Sequence, residues 1–145
     1  MTLVKLLSTL DEYTLRYIYR LVYNECLKEL IPLIDEDGSR CWYDRNNRLH
    51  RKVGPAYITD DDTYVWYLNG LLHRGSDQPA IVWSNGTMAW YYLGQKHRDG
   101  DQPAMIDVDG KREWWSHEKR HRDGHQPAVI YPDGTTEEWC QGQRM

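Results

Sequence analysis

Tryptophan falls at Trp42, Trp66, Trp90 and Trp114, each 24 residues after the last, and again at Trp139. Proline keeps the same step at Pro55, Pro79, Pro103 and Pro127, and each is followed by alanine: Ala56, Ala80, Ala104 and Ala128. A His-Arg pair recurs as His50-Arg51, His73-Arg74, His97-Arg98 and His121-Arg122. Three residues past each proline stands Ile58, Val82, Ile106 or Ile130. A period of this length restricts the chain to stacked copies of one supersecondary unit, since a single copy cannot bury its own apolar face.

The turn residues describe the unit. Asn69-Gly70 and Asn85-Gly86 are two-residue hairpin signals, because a type I′ turn needs positive φ at both positions. Asp109-Gly110 and Asp133-Gly134 repeat the second signal. The short segments between are rich in Tyr, Trp, Val and Ile, which favours strands. The fold class expected is mainly β: an antiparallel hairpin meander of about four repeats with a helical N-terminal cap. An Asn69-Gly70 loop sets Leu68 opposite Leu71, Tyr67 opposite Leu72 and Trp66 opposite His73. The same arithmetic sets Trp90 opposite His97 and Trp114 opposite His121. A two-residue Asn85-Gly86 loop sets Trp90 opposite Ile81, between Ile81 and His97 on one face of three strands. Trp42 and His50 are one residue further apart, so the first hairpin needs a longer loop or a bulge. At the last turn Val129 pairs with Glu138 rather than Trp139, unless the loop gains a residue. The polar runs RGSDQP, RDGDQP and RDGHQP end in a proline that cannot donate to a ladder, so a kink is expected there.

Residues 1-34 form the expected cap and 35-145 the repeat domain. Ser8 with Asp11, or Thr9 with Glu12, offers a capping box. Leu10, Tyr13, Tyr17, Ile18, Leu21 and Val22 follow at helical spacing and end before Pro32. A helix there would cover one end of the array. At the other end the next His-Arg would begin at about residue 146, so a strand edge carrying Trp139, Cys140 and Gln141 is expected to be open.

The unit resembles the MORN repeat. That family's pattern, an aromatic-rich strand followed by W-x-x-x-G-x-x-H and a strand closing on a turn Gly, is matched by Trp66, Gly70, His73 and Gly86, and by Trp90, Gly94, His97 and Gly110. The match runs from about residue 37 to 142. Arg stands where the family usually has Gly after the His, and the Pro-Ala pair is an addition. This variant is similar to repeats in proteins of large DNA viruses and some phages. The resemblance implies a non-enzymatic β-repeat module used for protein contacts, in some members for dimerisation, and in some proposed for anionic lipid. The stretch LSTLDEYTLRYIYRLV is similar to the start of an F-box, through Leu10, Leu15, Ile18 and Leu21. Asp11 replaces the F-box proline there, and the segment is shorter.

Each chemical candidate has a simpler reading. His73 could act as a base or a metal ligand, but His50, His73, His97 and His121 recur beside four equivalent tryptophans, and one catalytic site is not built four times. His117, His121 and His125 fall at different positions of the repeat and do not converge as zinc ligands must. Arg51, Arg74, Arg98 and Arg122 could bind phosphates, but Asp77, Asp99, Asp101 and Asp123 lie close enough for Arg-Asp ladders between repeats. Asp60-Asp61-Asp62 and Asp107-x-Asp109-Gly110 lack the closing Glu of a calcium loop and read as turns. No Walker loop, dinucleotide fingerprint or G-x-S-x-G occurs.

Composition narrows the partners. The net charge of -4 argues against a general nucleic-acid binder, which needs clustered positive charge. Three cysteines at irregular spacing make neither a disulfide framework nor a zinc finger. There is no signal-peptide pattern and no apolar run near the ~18 residues of a membrane span, so an intracellular location is expected. With 7 Trp, 11 Tyr and no Phe, the chain suits half-buried surfaces. Tyr43, Tyr67, Tyr91 and Trp115, which follow the first Trp of each unit, are expected on the opposite face and, with the Arg column, as the interaction surface. The function expected is a non-enzymatic scaffold for protein-protein contact, without cofactor or metal and homodimeric through its C-terminal repeat. The alternatives are an F-box-like ubiquitin-ligase adaptor and a peripheral anionic-lipid binder.

Overall fold

Two turn chemistries produce two kinds of hairpin. The computed structural model describes residues 11, 13, 14, 17 and 31–145. At Asn69-Gly70 both residues have positive φ, 52° and 84°, as a type I′ turn demands. Leu68 pairs with Leu71 and Tyr67 with Leu72, and the His73 N–H donates to the Trp66 carbonyl at 3.1 Å. The equivalent bonds set His97 across from Trp90 and His121 across from Trp114, each at 3.2 Å. In the first hairpin Tyr43 bridges Leu49 across a longer loop. There the Asp44 carboxylate accepts the N–H groups of Asn46 and Arg48.

The second turn departs from the two-residue reading. Trp83 N–H donates to the Thr87 carbonyl, and Ile81 pairs with Ala89 and Val82 with Met88. The loop is therefore three residues, Ser84 to Gly86, and only Gly86 has positive φ, at 91°. This is a turn closed by a left-handed glycine. Trp90 accordingly does not face Ile81; its N–H donates to the Ala104 carbonyl at 2.8 Å. The last turn also gains a residue, and Val129 pairs with Glu137.

The described residues are mainly β, with antiparallel pairing, but they do not form one meander. Five hairpins join edge to edge into a ten-stranded sheet. They are Leu33–Ile34 with Arg40–Cys41, Tyr57–Ile58 with Tyr64–Val65, Ile81–Val82 with Met88–Ala89, Met105–Ile106 with Arg112–Glu113, and Val129–Ile130 with Thr136–Glu137. The hairpins of the His column stand outside that sheet as separate two-stranded ribbons: Tyr67–Leu68 with Leu71–Leu72, Tyr91–Tyr92 with Gln95–Lys96, Trp115–Ser116 with Lys119–Arg120, and Trp139–Cys140 with Gln143–Arg144. Neighbouring ribbons share single main-chain bonds, such as Gly94 N–H to the Leu72 carbonyl at 2.8 Å. Each column Trp is the branch point. Trp66 donates its N–H to Ala80, next to the sheet strand, and accepts from His73, next to the ribbon. The core follows this seam: Ala56, Ala80, Ala104 and Ala128 have no exposed surface, and Trp42, Trp90 and Trp114 are buried.

Trp139 does not belong to the buried column. It lies 24 residues after Trp115 and repeats the Trp115 bond: Trp115 Nε1–H donates to Glu113, and Trp139 Nε1–H to Glu137, both at 2.8 Å. Glu138 occupies the branch position, and Met145 N–H donates to its carbonyl.

Tyr13, Thr14 and Tyr17 are helical. The Asp11 carboxylate accepts from Thr14 N–H at 2.8 Å and from its hydroxyl at 2.7 Å, an N-cap arrangement. Ser8, Thr9, Glu12 and most of the expected cap, including the F-box-like leucines, lie outside the described residues. No helix among the described residues is long and apolar enough to cross a membrane.

Candidate functional site

The arginine column is fixed by stacking. The guanidinium carbons of Arg51, Arg74, Arg98 and Arg122 lie 3.9, 3.7, 4.0 and 4.0 Å from the ring centroids of Trp42, Trp66, Trp90 and Trp114. Each Nη1 also donates to the carbonyl of the proline closing its loop, at 3.2–3.3 Å. Proline suits this place because the loop needs its carbonyl and no N–H. Cation–π contacts of this kind are worth about 1–2 kcal/mol when partly desolvated.

Two rungs are completed by the preceding repeat. Asp77 takes Nε and Nη2 of Arg98 at 2.7 and 2.8 Å, and Asp101 takes those of Arg122 at 2.7 and 2.9 Å. The same aspartates present their main-chain carbonyls to the indole N–H of Trp90 and Trp114, at 3.1 and 3.2 Å. One residue thus serves both members of the next rung. Hydrogen bonds from the arginines hold the Asp77 and Asp101 carboxyls below the usual carboxylate range.

Serving the rung requires a left-handed backbone. Asp77 and Asp101 both have φ of 52°, and the residues before them are Ser76 at 60° and Gly100 at 76°. Ser76 carries a side chain where the later loops use glycine, which costs about 1 kcal/mol or more in that conformation. Ser76→Gly should therefore raise stability, by up to about 1 kcal/mol after the unfolded-state entropy of glycine is offset. Urea unfolding checks this, and a loss of stability would contradict the strain argument.

The histidines are joints between ribbons. His50 Nδ1 accepts Asn69 N–H at 3.1 Å, His73 Nδ1 accepts Leu93 N–H at 3.4 Å, and His121 Nδ1 accepts Gln141 N–H at 3.4 Å. That role needs Nδ1 unprotonated, which leaves the proton on Nε2, and His121 Nε2 meets Asp123 at 3.0 Å. His97 departs from the pattern: its Nε2 meets Asp99 at 3.0 Å, but its Nδ1 is buried without a partner. Its ring stacks on His117, with centroids 4.1 Å apart. His125 is exposed in its loop. Among the described residues no three His, Cys, Asp or Glu side chains are placed to hold a metal ion. Asp60, Asp61 and Asp62 form one of the three-residue turns, in which Asp62 has φ of 61° and Asp61 accepts the Ser84 hydroxyl.

Between successive Arg loops run open grooves of about 330 and 430 Å³. The second aromatic column is not a bare face. Tyr43, Tyr67, Tyr91 and Trp115 are half-buried, and Lys96 Nζ lies 4.6 Å from the Trp115 ring centroid. Trp115 leans onto Glu113, a residue that stands out in the sequence only as a charge in the column of Val65 and Ala89. Glu113 is 3% exposed and is bonded by Lys111, by Trp115 and, at 3.4 Å, by Arg120. Burial pushes its pKa up, but the bonds from Lys111 and Trp115 and the Arg120 charge outweigh this and leave it below the usual value.

The expected open edge is also placed differently. Trp139–Cys140 pairs with Gln143–Arg144, and Gln141 meets His121. Among the described residues the sheet instead ends on Thr136–Glu137 and, at its other side, on Leu33–Ile34. Compared with protein-family models, characterised proteins and solved structures, the chain matches none.

Proposed function

We propose that the chain is a non-catalytic repeat scaffold that mediates protein-protein contact and associates with itself. The carrying observation is how its reactive-looking columns are used. The Arg column is engaged in stacking and in Pro contacts, with Arg98 and Arg122 also held by Asp, and three of the four column histidines accept backbone N–H groups of the next ribbon. Groups committed to joining repeats are poor acids, bases or nucleophiles, and the surface the repeats build is what remains for function. The Thr136–Glu137 edge of the sheet is the strand proposed to pair with its copy across a two-fold axis, since an unpaired edge is a template for another strand. The expected result in light scattering is a particle of twice the 17.3 kDa chain mass. A monomer at high micromolar concentration would refute self-association. Thr136→Pro removes a ladder donor and should release monomers.

A further inference from the structure

The four rungs are not equivalent. Arg98 and Arg122 have their outer guanidinium edges filled by Asp77 and Asp101. Arg51 and Arg74 have the stack and the proline carbonyl but meet no carboxylate among the described residues. The reason is local. For Arg74 the preceding loop, Arg51 to Pro55, is one residue shorter and carries Lys52-Val53-Gly54 where the next carries an aspartate; the corresponding position for Arg51 lies outside the described residues. Val53 is 83% exposed and supplies no carboxylate. Burial pushes the Arg51 and Arg74 pKa values down, through desolvation of their guanidinium groups. Among the described residues the first rung lacks a second partner as well. Trp42 is 4% exposed and its Nε1 is buried without a hydrogen-bond partner, whereas Trp90 and Trp114 donate to the carbonyls of Asp77 and Asp101.

We infer that Trp42–Arg51 and Trp66–Arg74 form a docking site for an acidic segment of a partner protein. An aspartate or glutamate of that segment takes the guanidinium edge as Asp77 takes Arg98. The template within the molecule favours a carboxylate over a phosphate, because both filled rungs hold a carboxylate bidentately. Each repeat adds two strands to the sheet, so neighbouring rungs are about 10 Å apart. Acidic residues three apart in an extended, polyproline-like segment span about that distance. This inference rests on the scaffold reading and names the chemistry of its partner.

The test uses the full chain, labelled with 15N, and a Gly/Ser peptide bearing two aspartates three residues apart. The Trp42 and Trp66 indole N–H resonances should shift saturably, while those of Trp90 and Trp114, already bonded within the fold, should not. The same peptide with asparagines should bind at least fivefold more weakly. So should the chain carrying Arg51→Lys and Arg74→Lys, which keeps the charge and loses the fork. Val53→Asp leaves both arginines in place and should weaken binding by offering Arg74 a carboxylate in cis. Shifts independent of the aspartates or of Arg51 and Arg74 would overturn the inference. So would vesicles of phosphatidylserine that perturb these indoles more strongly than the peptide does. A dimeric chain that ignores the peptide sinks this site alone; a monomer that binds it sinks self-association alone.

Discussion

Trp90→Ala should lower the unfolding free energy by about 4 kcal/mol, the range for deleting a buried aromatic side chain. Trp90 is 7% exposed, and three joints meet on it. Its ring carries Arg98, its indole N–H donates to Asp77 of the preceding repeat, and its backbone ties sheet to ribbon. The substitution leaves the backbone joint and removes the other two along with the buried area. Trp139→Ala should cost much less, because Trp139 is half-buried and outside that column. Urea denaturation of both variants gives the comparison. Equal losses would mean that the column has no special standing in the fold.

Glu113→Gln should cost about 3 kcal/mol, because it leaves cations gathered around a site that no longer carries a charge. Lys111 and Arg120 are partly exposed, at 23% and 31%, so water can relieve some of the loss. The same group makes stability depend on pH. Its folded pKa lies below the unfolded value. Its contribution is therefore complete above the unfolded carboxyl pKa of about 4.3 and is lost as pH falls through the folded value. Acid unfolding of wild type and Glu113→Gln should converge as pH drops from 5 toward the acid limit. A constant gap between the two curves would mean that Glu113 titrates alike in both states.

The spacing of Trp, Pro-Ala and His-Arg carried much of the architecture, because each column has one place in the repeated contact. The Asn69-Gly70 register was legible for a physical reason: two consecutive left-handed residues leave one loop length. Asn85-Gly86 looked the same in sequence, but only its glycine is left-handed, and a three-residue loop changes the register by one. Residue identity alone does not separate those two turns. The branch at each Trp was invisible, since it depends on one residue bonding in two directions. Trp139 misled because its spacing from Trp114 came within one residue of the period. The ladders of Asp77 with Arg98 and Asp101 with Arg122 were foreseeable from proximity, whereas the gap at Arg51 and Arg74 needed the structure. Glu113 was missed because its column holds apolar Val65 and Ala89 in the earlier repeats, and only Glu137 repeats the charge.

The central claim is that the recurring columns are joints between repeats. A double-mutant cycle on Asp77→Ala and Arg98→Ala, read by urea unfolding, tests it most directly. The bidentate pair lies between repeats, with Arg98 at 14% exposure and Asp77 at 61%, so a coupling of about 1 kcal/mol is expected once solvent screening is allowed for. Losses that add to within ~0.3 kcal/mol would contradict the claim.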